Sequence, residues 1–312
     1  MSAERHRRRW SVLPAVALLS ATATGSAAPL TIAASGHPVA PVSVDEGRPA
    51  AFIIDTGAEG SAVYRWFAES RHLPEAGEER LDGQTGAATL PMRQVQTMAI
   101  DRARSRPLQL VELADQPDRR DIAGVLGLDV MRGSLVEFDF AHRRVLFHEH
   151  AMAGRLRRSL GKPIHATKVT GGLLAIPVVL NGTAGMAVID TGARESRANE
   201  AFAARASLAP LDVPLRAIRG ANDKAAQLRT AQVRTMRLSN QNLGATTIKV
   251  ADLSIFETFG WADSPAMLLG FDHLRRFRLV VDADRGEIWL ARPRCGRSER
   301  APGREGVQIL KC

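Results

Sequence analysis

The chain has 312 residues, of which 45% are hydrophobic and 24% charged, and only 5% are aromatic. This composition excludes a disordered or fibrous chain, and the length suits one large domain or two of moderate size. The net charge of +9 comes from arginines that are scattered along the sequence. No stretch combines a basic stripe with interleaved aromatic residues, so nucleic-acid binding is not expected.

Residues 1–28 have the pattern of an export signal. A basic stretch, MSAERHRRRW, precedes a short apolar stretch, SVLPAVALLS, and small residues offer a cleavage site near Ala28. A membrane anchor is the alternative, but the apolar run is about half of the roughly 20 residues that a spanning helix needs. We therefore predict an exported protein, periplasmic or secreted, without a stable membrane span after cleavage. Cleavage would remove four arginines and one glutamate and lower the net charge from +9 to +6.

The two cysteines of the chain, Cys295 and Cys312, both lie near its C-terminal end. In an exported protein they could form a disulfide that closes the tail back on the body, with free thiols as the alternative. The stretch 292–312 contains no histidine, so a metal site is not indicated there.

An Asp-Thr-Gly sequence occurs twice, at 55–57 and 190–192, each time directly after an apolar run. One copy alone would be explained as an ordinary turn, because Asp and Gly are common in turns. The repetition extends upstream, where VSVDEGRPAAFIIDTGA (42–58) matches PVVLNGTAGMAVIDTGA (177–193) at an offset of 135. Two copies within a longer match favour a repeated structural feature.

The repeat also extends downstream in the same order, which indicates a duplicated chain. The further matching blocks are QVQTMAI with QVRTMRL, at 94–100 and 232–238, and the longer segments 125–147 and 268–290. The sequence therefore predicts two homologous lobes, over residues 29–155 and 156–312.

Each lobe is predicted to be mainly β, because short alternating or continuous apolar runs lie between the turns. Each lobe opens with a β-hairpin whose second strand ends at the acid, and the turns are placed at Glu46-Gly47 and at Asn181-Gly182. One short helix per lobe is predicted after the acid turn, over 62–73 and over 195–208. A short helical turn is expected after Gly127 and after Gly270, followed by a closing hairpin.

Asp-Thr-Gly-Ala after an apolar strand, with an apolar-apolar-Gly block some 70 to 80 residues later, resembles the aspartic proteases of the retropepsin and pepsin clan. The Leu-Gly-x-Asp segments at 126–129 and 269–272 most resemble those of bacterial retropepsin-like proteins. The resemblance covers about Val39 to Leu290. It implies two pepsin- or retropepsin-like β-barrel lobes related by a pseudo-twofold axis, with one aspartate from each lobe in the cleft between them. A tandem chain resembles pepsin in completing the site alone, so a monomer is expected.

Asp55 and Asp190 are the predicted catalytic pair. Two carboxyl groups about 3 Å apart cannot both ionise, so they share one proton and supply a general base and a general acid together. They can thus activate a water for peptide hydrolysis without a cofactor or a metal. The titration belongs to the pair, and the sequence does not say which aspartate is the base.

The residues after each aspartate have supporting roles in this interpretation. The resemblance implies that Thr56 and Thr191 cross-link the two turns through hydrogen bonds from their hydroxyl groups to the backbone. Gly57 and Gly192 lack a Cβ, so the two backbones can approach and their N–H groups can point at the carboxylates.

A β-hairpin over 81–91 is the predicted flap that covers a bound substrate, and 218–228 is its counterpart in the second lobe. The predicted substrate-binding residues at its tip are Gly83, Gln84, Thr85 and Gly86. The alternative is that both segments are solvated loops. Pepsins place a tyrosine in the flap, whereas Tyr64, near the first acid turn, is the only tyrosine in this sequence.

Other polar residues are given structural roles. Surface positions are favoured over a metal site for His142, His148 and His150. Capping of strand or helix ends is the interpretation of the recurring acids Asp129, Asp139, Asp272 and Asp282. Ser61 and Ser196 follow the acid turns, but no histidine lies at a position that would indicate a Ser-His-Asp triad.

The sequence therefore predicts an aspartic endopeptidase that acts on peptide or protein substrates. The alternative is a non-catalytic protein that binds peptides or an envelope polymer in a protease-like cleft. The absence of a flap tyrosine and the charged Arg194-Glu195 pair after the second acid turn favour this alternative. A third possibility is a chain that needs a second copy to form its site, which two acid turns per chain make unnecessary.

Overall fold

The computed structural model describes residues 27–84, 86–219 and 225–293. The predicted export signal up to residue 26, Thr85 of the predicted flap, and both Cys295 and Cys312 lie outside the described residues, so the expectations for them remain predictions. Within the described ranges, no helix has the length and apolar character that a membrane crossing requires.

The structure is mainly β, and its strands repeat in the two halves of the chain. In the first half the strands are β1 (Ala28–Pro29), β2 (Thr31–Ile32), β3 (Pro38–Val44), β4 (Ala50–Ile54), β5 (Ala62–Tyr64), β6 (Glu75–Gly83), β7 (Gly86–Val95), β8 (Met98–Ile100), β9 (Ala103–Arg104), β10 (Leu108–Leu113), β11 (Gly124–Leu126), β12 (Leu135–Asp139) and β13 (Arg144–His148). In the second half they are β14 (Ile164–His165), β15 (Thr167–Lys168), β16 (Leu174–Leu180), β17 (Thr183–Ile189), β18 (Arg197–Ala198), β19 (Ala209–Pro210), β20 (Arg216–Arg219), β21 (Ala225–Leu238), β22 (Gln241–Val250), β23 (Ala266–Leu269), β24 (Arg278–Asp282) and β25 (Glu287–Ala291).

The α-helices are short, and more of them are present than the one per lobe that the sequence predicts. They are α1 (Arg65–Ser70), α2 (Leu128–Met131), α3 (Ala153–Leu160), α4 (Glu200–Arg205), α5 (Ser254–Thr258) and α6 (Phe271–Leu274). Short 3-10 helices span Pro117–Arg119, His150–Met152 and Thr170–Gly172. The helical turns expected after Gly127 and Gly270 are confirmed as α2 and α6, whereas α3 and α5 were not predicted.

The helices predicted after the acid turns are correct in place but too long. The first part of each predicted segment is a strand instead, β5 before α1 and β18 before α4. Strand β5 pairs with β10 and β11, and β18 pairs with β22 and β23. These long-range pairings override the helical preference of the local sequence.

Both predicted opening hairpins are confirmed, because β3 pairs with β4 and β16 pairs with β17, each antiparallel. In the second hairpin Asn181 and Gly182 have φ values of 47° and 90° and form the turn as predicted. In the first, the positive φ values fall on Asp45 (47°) and Glu46 (60°). The turn at Glu46-Gly47 is therefore wrong by one residue, and Asp45 is the structural counterpart of Asn181.

The downstream repeat is visible in how these turns are anchored. The Asp45 carboxylate accepts a hydrogen bond from the backbone N–H of Thr97 over 2.9 Å. The Asn181 amide oxygen accepts one from the backbone N–H of Thr235 over 3.1 Å. Thr97 and Thr235 occupy equivalent positions in the matched blocks QVQTMAI and QVRTMRL, so the sequence match corresponds to a match in structure.

Each half uses the same strand arrangement to place its acid turn. In the first, β11 runs parallel to β4 and antiparallel to β5, and β5 runs parallel to β10. In the second, β23 has the same relations to β17 and β18, and β18 runs parallel to β22. Each aspartate thus follows an interior strand and lies beside the end of a parallel neighbour.

A six-stranded sheet joins the two halves, in the order β1, β13, β12, β24, β25, β14. Its central pair, β12 and β24, is antiparallel and places Leu135 opposite Asp282 and Asp139 opposite Arg278. Leu135 and Arg278 are repeat counterparts, as are Asp139 and Asp282. Exchanging the two halves therefore maps this pairing onto itself, as a pseudo-twofold axis through the sheet requires.

Helix α3 spans the predicted boundary between residues 155 and 156. Its buried Leu156 packs with residues of the joining sheet, including Leu135 of the first half and Trp289 of the second. Arg157 of the same helix forms an ion pair of 2.6 Å with Glu287. The helix contacts both halves, and the exact division at 155/156 stays a prediction.

Candidate active site

The two acid turns meet at the junction of the halves. Asp55 follows β4 and its N–H donates to the carbonyl of Leu126, while Asp190 follows β17 and donates in the same way to Leu269, over 2.9 Å and 3.0 Å. Asp190 is 3% exposed and Asp55 is partly exposed. Each carboxyl group lies against the glycine of the opposite turn, Asp55 against Gly192 and Asp190 against Gly57. The structure therefore brings together the two acids that the sequence singles out.

Thr56 and Thr191 cross-link the turns in both directions. The N–H of Thr56 donates to the hydroxyl of Thr191 over 3.0 Å, and that hydroxyl donates to the carbonyl of Ile54 over 2.6 Å. The N–H of Thr191 donates to the hydroxyl of Thr56 over 3.2 Å, and that hydroxyl donates to the carbonyl of Ile189 over 2.8 Å. Both threonines are buried, so this arrangement holds the backbones of the two turns in fixed register.

Gly57 and Gly192 are required by the close approach of the two turns. A Cβ on Gly57 would lie 2.6 Å from the carboxyl carbon of Asp190, and one on Gly192 would lie 2.2 Å from that of Asp55. Backbone N–H groups of the two turns also donate hydrogen bonds to the carboxylates. Asp55 accepts hydrogen bonds from the N–H of Gly57 over 2.7 Å and of Gly192 over 3.2 Å, and Asp190 accepts one from Ala193 over 2.6 Å.

The two acids differ in the charges that surround them. Burial and the neighbouring Asp190 carboxylate raise the pKa of Asp55 well above its usual range. Burial also raises the pKa of Asp190, but the positive charge of Arg197 opposes that rise. Both shifts disfavour a doubly ionised pair, so the two carboxyl groups are expected to share one proton.

A second repeated network supports the turns from below. The Ser61 hydroxyl donates to the Asp129 carboxylate over 2.6 Å and accepts from the N–H of Gly127 over 3.0 Å. In the other half, Ser196 makes the same bonds to Asp272 and Gly270, over 2.7 Å and 2.9 Å. Capping explains these aspartates only in part, because each also fixes the segment that follows an acid turn.

His273 joins the second of these networks, which sequence reasoning missed. Its Nδ1 lies 2.8 Å from the Ser196 hydroxyl, and its Nε2 lies 2.9 Å from the hydroxyl of Thr246. Ser196, Asp272 and His273 thus lie together, contrary to the expectation from the sequence. Ser196 is fully buried, so this group has a structural role and no access to a substrate.

A cleft of about 980 Å³ runs between the halves over the aspartate pair. Both aspartates line it, as do apolar side chains from the two halves, among them Ile53 and Leu268. Its volume lies at the upper end of the range for ligand sites in proteins, roughly 300 to 1,000 Å³. The cleft therefore has room for a segment of extended peptide.

The segment predicted to be the flap is a hairpin of β6 and β7, in which Gly83 pairs with Gly86 across the turn, and its role as a flap stays a prediction. At its tip the Gln84 side chain reaches the floor of the cleft. Its amide N–H donates to the Asp190 carboxylate over 3.4 Å, and its carbonyl oxygen accepts a hydrogen bond from Arg197. The segment predicted as the second-lobe counterpart is also a hairpin, of β20 and β21, and Ala217 and Ile218 of β20 line the cleft.

Comparison with known proteins gives one family match in two segments. Residues 40–130 and 176–273 both match the family model described as aspartyl protease. The two segments cover most of each half and include both acid turns and both apolar-Gly blocks. The chain belongs to the aspartyl protease family. None of the curated proteins matches it.

Arg197 is a residue of this aspartyl protease site that sequence reasoning missed. It lies in β18, seven residues after Asp190, lines the cleft and is 7% exposed. The available signal was the repeat itself, because the aligned position in the first half is the small residue Ala62. An arginine aligned with alanine so close to an acid turn marks a difference between the two sides of the site.

Tyr64 also lies at the site, although not in the flap. It is buried beneath the first-lobe side of the cleft, and its hydroxyl accepts a hydrogen bond from Arg119 over 2.8 Å. Burial raises its pKa. In this member of the aspartyl protease family the hairpin tip therefore carries a glutamine, and the tyrosine binds an arginine in the wall of the cleft.

One group of possible metal ligands occurs among the described residues. Ligand atoms of His150, Asp282 and Asp284 lie within 4.8 Å of one another, at the end of strand β24 of the joining sheet. Asp282 also accepts hydrogen bonds from the backbone and side chain of Arg285, and Asp284 accepts one from the N–H of Gly133. His150 is thus paired with carboxylates and is not an isolated surface histidine.

Proposed function

We propose that the protein is an aspartic endopeptidase that hydrolyses peptide bonds with a water activated by Asp55 and Asp190. The observation that carries this proposal is the meeting of the two carboxyl groups at the floor of the cleft, where each lies against the glycine of the opposite acid turn. Each comes from one half of the chain. Membership in the aspartyl protease family supports the same chemistry.

Arg197 and the amide of Gln84 favour the ionised form of Asp190, so Asp190 is the proposed general base and Asp55 the general acid. Asp190 removes a proton from the water as its oxygen attacks the peptide carbonyl carbon, and Asp55 gives its proton to the carbonyl oxygen. When the tetrahedral intermediate breaks down, Asp190 returns its proton to the leaving nitrogen. Asp55 recovers a proton from a hydroxyl of the intermediate, so both acids regain their starting states.

The flap closes the site in this scheme. Gln84 contacts Asp190 and Arg197, so a substrate has to displace its side chain before it reaches the dyad. Main-chain groups of the hairpin can then pair with an extended peptide, because the turn carries glycines at 83 and 86. Gly83 and Gln84 line the cleft, which supports the assignment of the hairpin tip as substrate-binding.

Single Asn substitutions at the two acids test the proposal. Asp55→Asn and Asp190→Asn are each expected to lower peptide cleavage at least about 100-fold, because each removes one partner of the acid–base pair. Asp121→Asn, at an exposed position outside the cleft lining, is the matched control. Normal turnover in either site variant, with unchanged thermal stability, would reject the dyad.

A non-catalytic binding role is the second candidate, and the contact of Gln84 with Asp190 favours it because the dyad is covered. Incubation of the protein with a diverse peptide library between pH 3 and 7 separates the two roles. Cleavage products that the Asn variants abolish support the enzyme. Tight binding without products supports a binding protein.

Export and a monomeric state complete the proposal. The basic and apolar composition of residues 1–28 supports export, and two acid turns in one chain support a monomer. To test export, residues 1–35 are fused in front of a reporter enzyme that is active only after export. An inactive reporter would mean that this segment is not an export signal. To test the monomeric state, activity per mole of protein is measured at increasing dilution. A fall in this specific activity on dilution would contradict a monomer.

A further inference from the structure

The two sides of the aspartate pair differ in charge, although the repeat relates them. At the offset of 135 that superposes the acid turns, Arg197 corresponds to Ala62 and Arg194 corresponds to Glu59. All four residues line the cleft. At these two aligned positions the second half therefore offers a substrate two arginines, where the first half offers a glutamate and an alanine.

Arg197 is held in the wall of the cleft with unused hydrogen-bonding capacity. It is 7% exposed, and one Nη donates to the side-chain oxygen of Gln84. Its Nε is buried and has no hydrogen-bond partner among the described residues. A buried guanidinium that lacks a partner for one donor is costly unless a ligand supplies the acceptor.

Arg194 and, from the first half, Arg119 lie near Arg197, since all three act on the same buried histidine, His37. Arg194 packs against Gly36 and donates to the carbonyl of Ser35 over 2.8 Å. The Nε of Arg119 is buried and has no hydrogen-bond partner in the described part of the chain, although it lies 3.8 Å from the Asp118 carboxylate. Burial, followed by Arg119, Arg194 and Arg197, lowers the pKa of nearby His37 to about 3, so this histidine adds no charge at neutral pH.

The acids near these arginines are mostly engaged elsewhere. The charges that act on Arg197 are Asp190, Glu195, Arg194 and Asp272. Asp272 binds the hydroxyl and N–H of Ser196, and Glu195 pairs with Lys249 over 3.5 Å. Asp118 lies 3.8 Å from Arg194 and is half exposed, so its pairing is weak. Only Asp190 faces Arg197 from within the dyad.

We propose that Arg197, with Arg194 and Arg119, forms a subsite for a carboxylate, so that preferred substrates carry one close to the scissile bond on this side. The carboxylate is either an Asp or Glu side chain or the C-terminal group of the substrate. This inference rests on the proposed endopeptidase function, of which it names the substrate class.

Gln84 is the residue that a substrate carboxylate would replace. Its amide oxygen is a neutral acceptor for Arg197, whereas a carboxylate is a charged one that can take two donors of the guanidinium. The exchange frees the flap tip and strengthens the bond to Arg197. Binding of a substrate carboxylate to Arg197 is therefore coupled to displacement of Gln84 from the cleft.

Matched peptide substrates test the subsite. Cleavage sites are first mapped in a peptide library, and one efficient substrate is then made with Glu, Gln or Ala at each position within three residues of the scissile bond. At one position Glu is expected to raise kcat/KM about 10- to 100-fold over Gln, the effect of a charge-assisted hydrogen bond. A further pair, with a C-terminal acid or amide at that position, distinguishes the two sources of carboxylate.

The arginine variants locate the effect. Arg197→Met is expected to reduce the Glu-to-Gln ratio of kcat/KM to about one, and Arg194→Gln to reduce it in part. The ratio cancels any general effect of these changes on the dyad. Arg234→Gln, at an exposed position outside the cleft, should leave the ratio unchanged. The subsite would be rejected if the Glu-to-Gln ratio of kcat/KM in the wild type were near one at every position. It would also be rejected if Arg197→Met and Arg194→Gln both kept the wild-type ratio.

A binding measurement separates this inference from the proposed function. If no peptide is cleaved, fluorescence anisotropy with the Asp55→Asn protein compares labelled Glu and Gln peptides directly. Tighter binding of acidic peptides, lost in Arg197→Met/Asp55→Asn, would support the subsite in a non-catalytic protein. Equal binding of Glu and Gln peptides would reject the subsite whatever the catalytic outcome.

Discussion

Thr56 and Thr191 exchange hydrogen bonds across the pseudo-twofold axis, each N–H donating to the hydroxyl of the other, over 3.0 Å and 3.2 Å. Both side chains are buried. The contact links residues 135 positions apart in the sequence and joins the two halves directly beneath the proposed catalytic pair. Rigidity of the site and cohesion of the halves thus depend on the same four hydrogen bonds.

Thr191→Val is therefore expected to lower the free energy of unfolding by about 2 to 4 kcal/mol. Valine keeps the shape but leaves the N–H of Thr56 and the carbonyl of Ile54 without a partner, at roughly 1 to 3 kcal/mol per buried group. Urea denaturation measures the change. Thr235→Val, at an exposed strand position, is the control and should stay within about 0.5 kcal/mol of wild type. Equal stability of the two variants would contradict a stabilising cross-link.

Arg197→Met is expected to move the acidic limb of the pH–activity profile to higher pH. Arg197 lowers the pKa of Asp190 against the effect of burial, so its removal raises that pKa. Activity requires ionised Asp190 and is lost as the pH falls through its pKa, which is why the limb shifts upward. The pH dependence of kcat/KM for an uncharged peptide substrate measures this shift.

The same profile with Arg234→Gln provides the control, since that arginine lies outside the cleft lining. A downward shift of the acidic limb in Arg197→Met would mean that Asp190 is not the base. An unchanged limb would mean that Arg197 does not act on the dyad.

The sequence predicts the features of the fold that depend on short-range pattern or on the repeat. The apolar run before each Asp-Thr-Gly predicts strands β4 and β17 because a buried strand carries apolar residues on both faces. Asn181-Gly182 predicts a turn because both residues tolerate positive φ. Alignment of the halves then places Asp55 opposite Asp190.

The parts that the sequence does not predict depend on contacts between distant segments. Segment 62–73 has helical composition, yet Ala62–Tyr64 is a strand because β10 and β11 flank it. Arg197 resembles any other scattered arginine until β18 is paired with β22 and β23, which turns its side chain into the cleft. Likewise, Gln84 is an ordinary turn residue until the flap folds over the second half.

Glu137→Gln is expected to remove a pH-dependent part of the stability. Glu137 is 1% exposed in β12 and accepts a hydrogen bond of 2.6 Å from Arg278 of the other half. Burial raises its pKa, but the hydrogen bonds from His148 and Arg278 outweigh burial and lower the pKa to about 2. Because the folded pKa lies below the unfolded value, the ionised group stabilises the fold above about pH 4.5, and this contribution is lost as the pH falls toward 2.

Wild-type protein should therefore be about 3 kcal/mol more stable near pH 6 than near pH 2 through this one group. The difference between wild type and Glu137→Gln in urea denaturation should shrink over the same interval. Glu257→Gln, at an exposed position, should show a constant and small difference. A Glu137→Gln effect that is the same at pH 6 and pH 3 would contradict a depressed pKa.

Gln84→Ala is expected to loosen the flap in the free protein. The substitution removes the bonds from the flap tip to Asp190 and Arg197. Loss of about 1 to 2 kcal/mol of local stability should raise the amide exchange rates of residues 81–88 about 5- to 30-fold, while the exchange of β12 and β24 stays unchanged. Hydrogen exchange followed by mass spectrometry measures both regions in one experiment, with Gln241→Ala as the control at a distant turn. Unchanged exchange at the flap tip would mean that strand pairing alone, and not the Gln84 contacts, keeps the hairpin over the dyad.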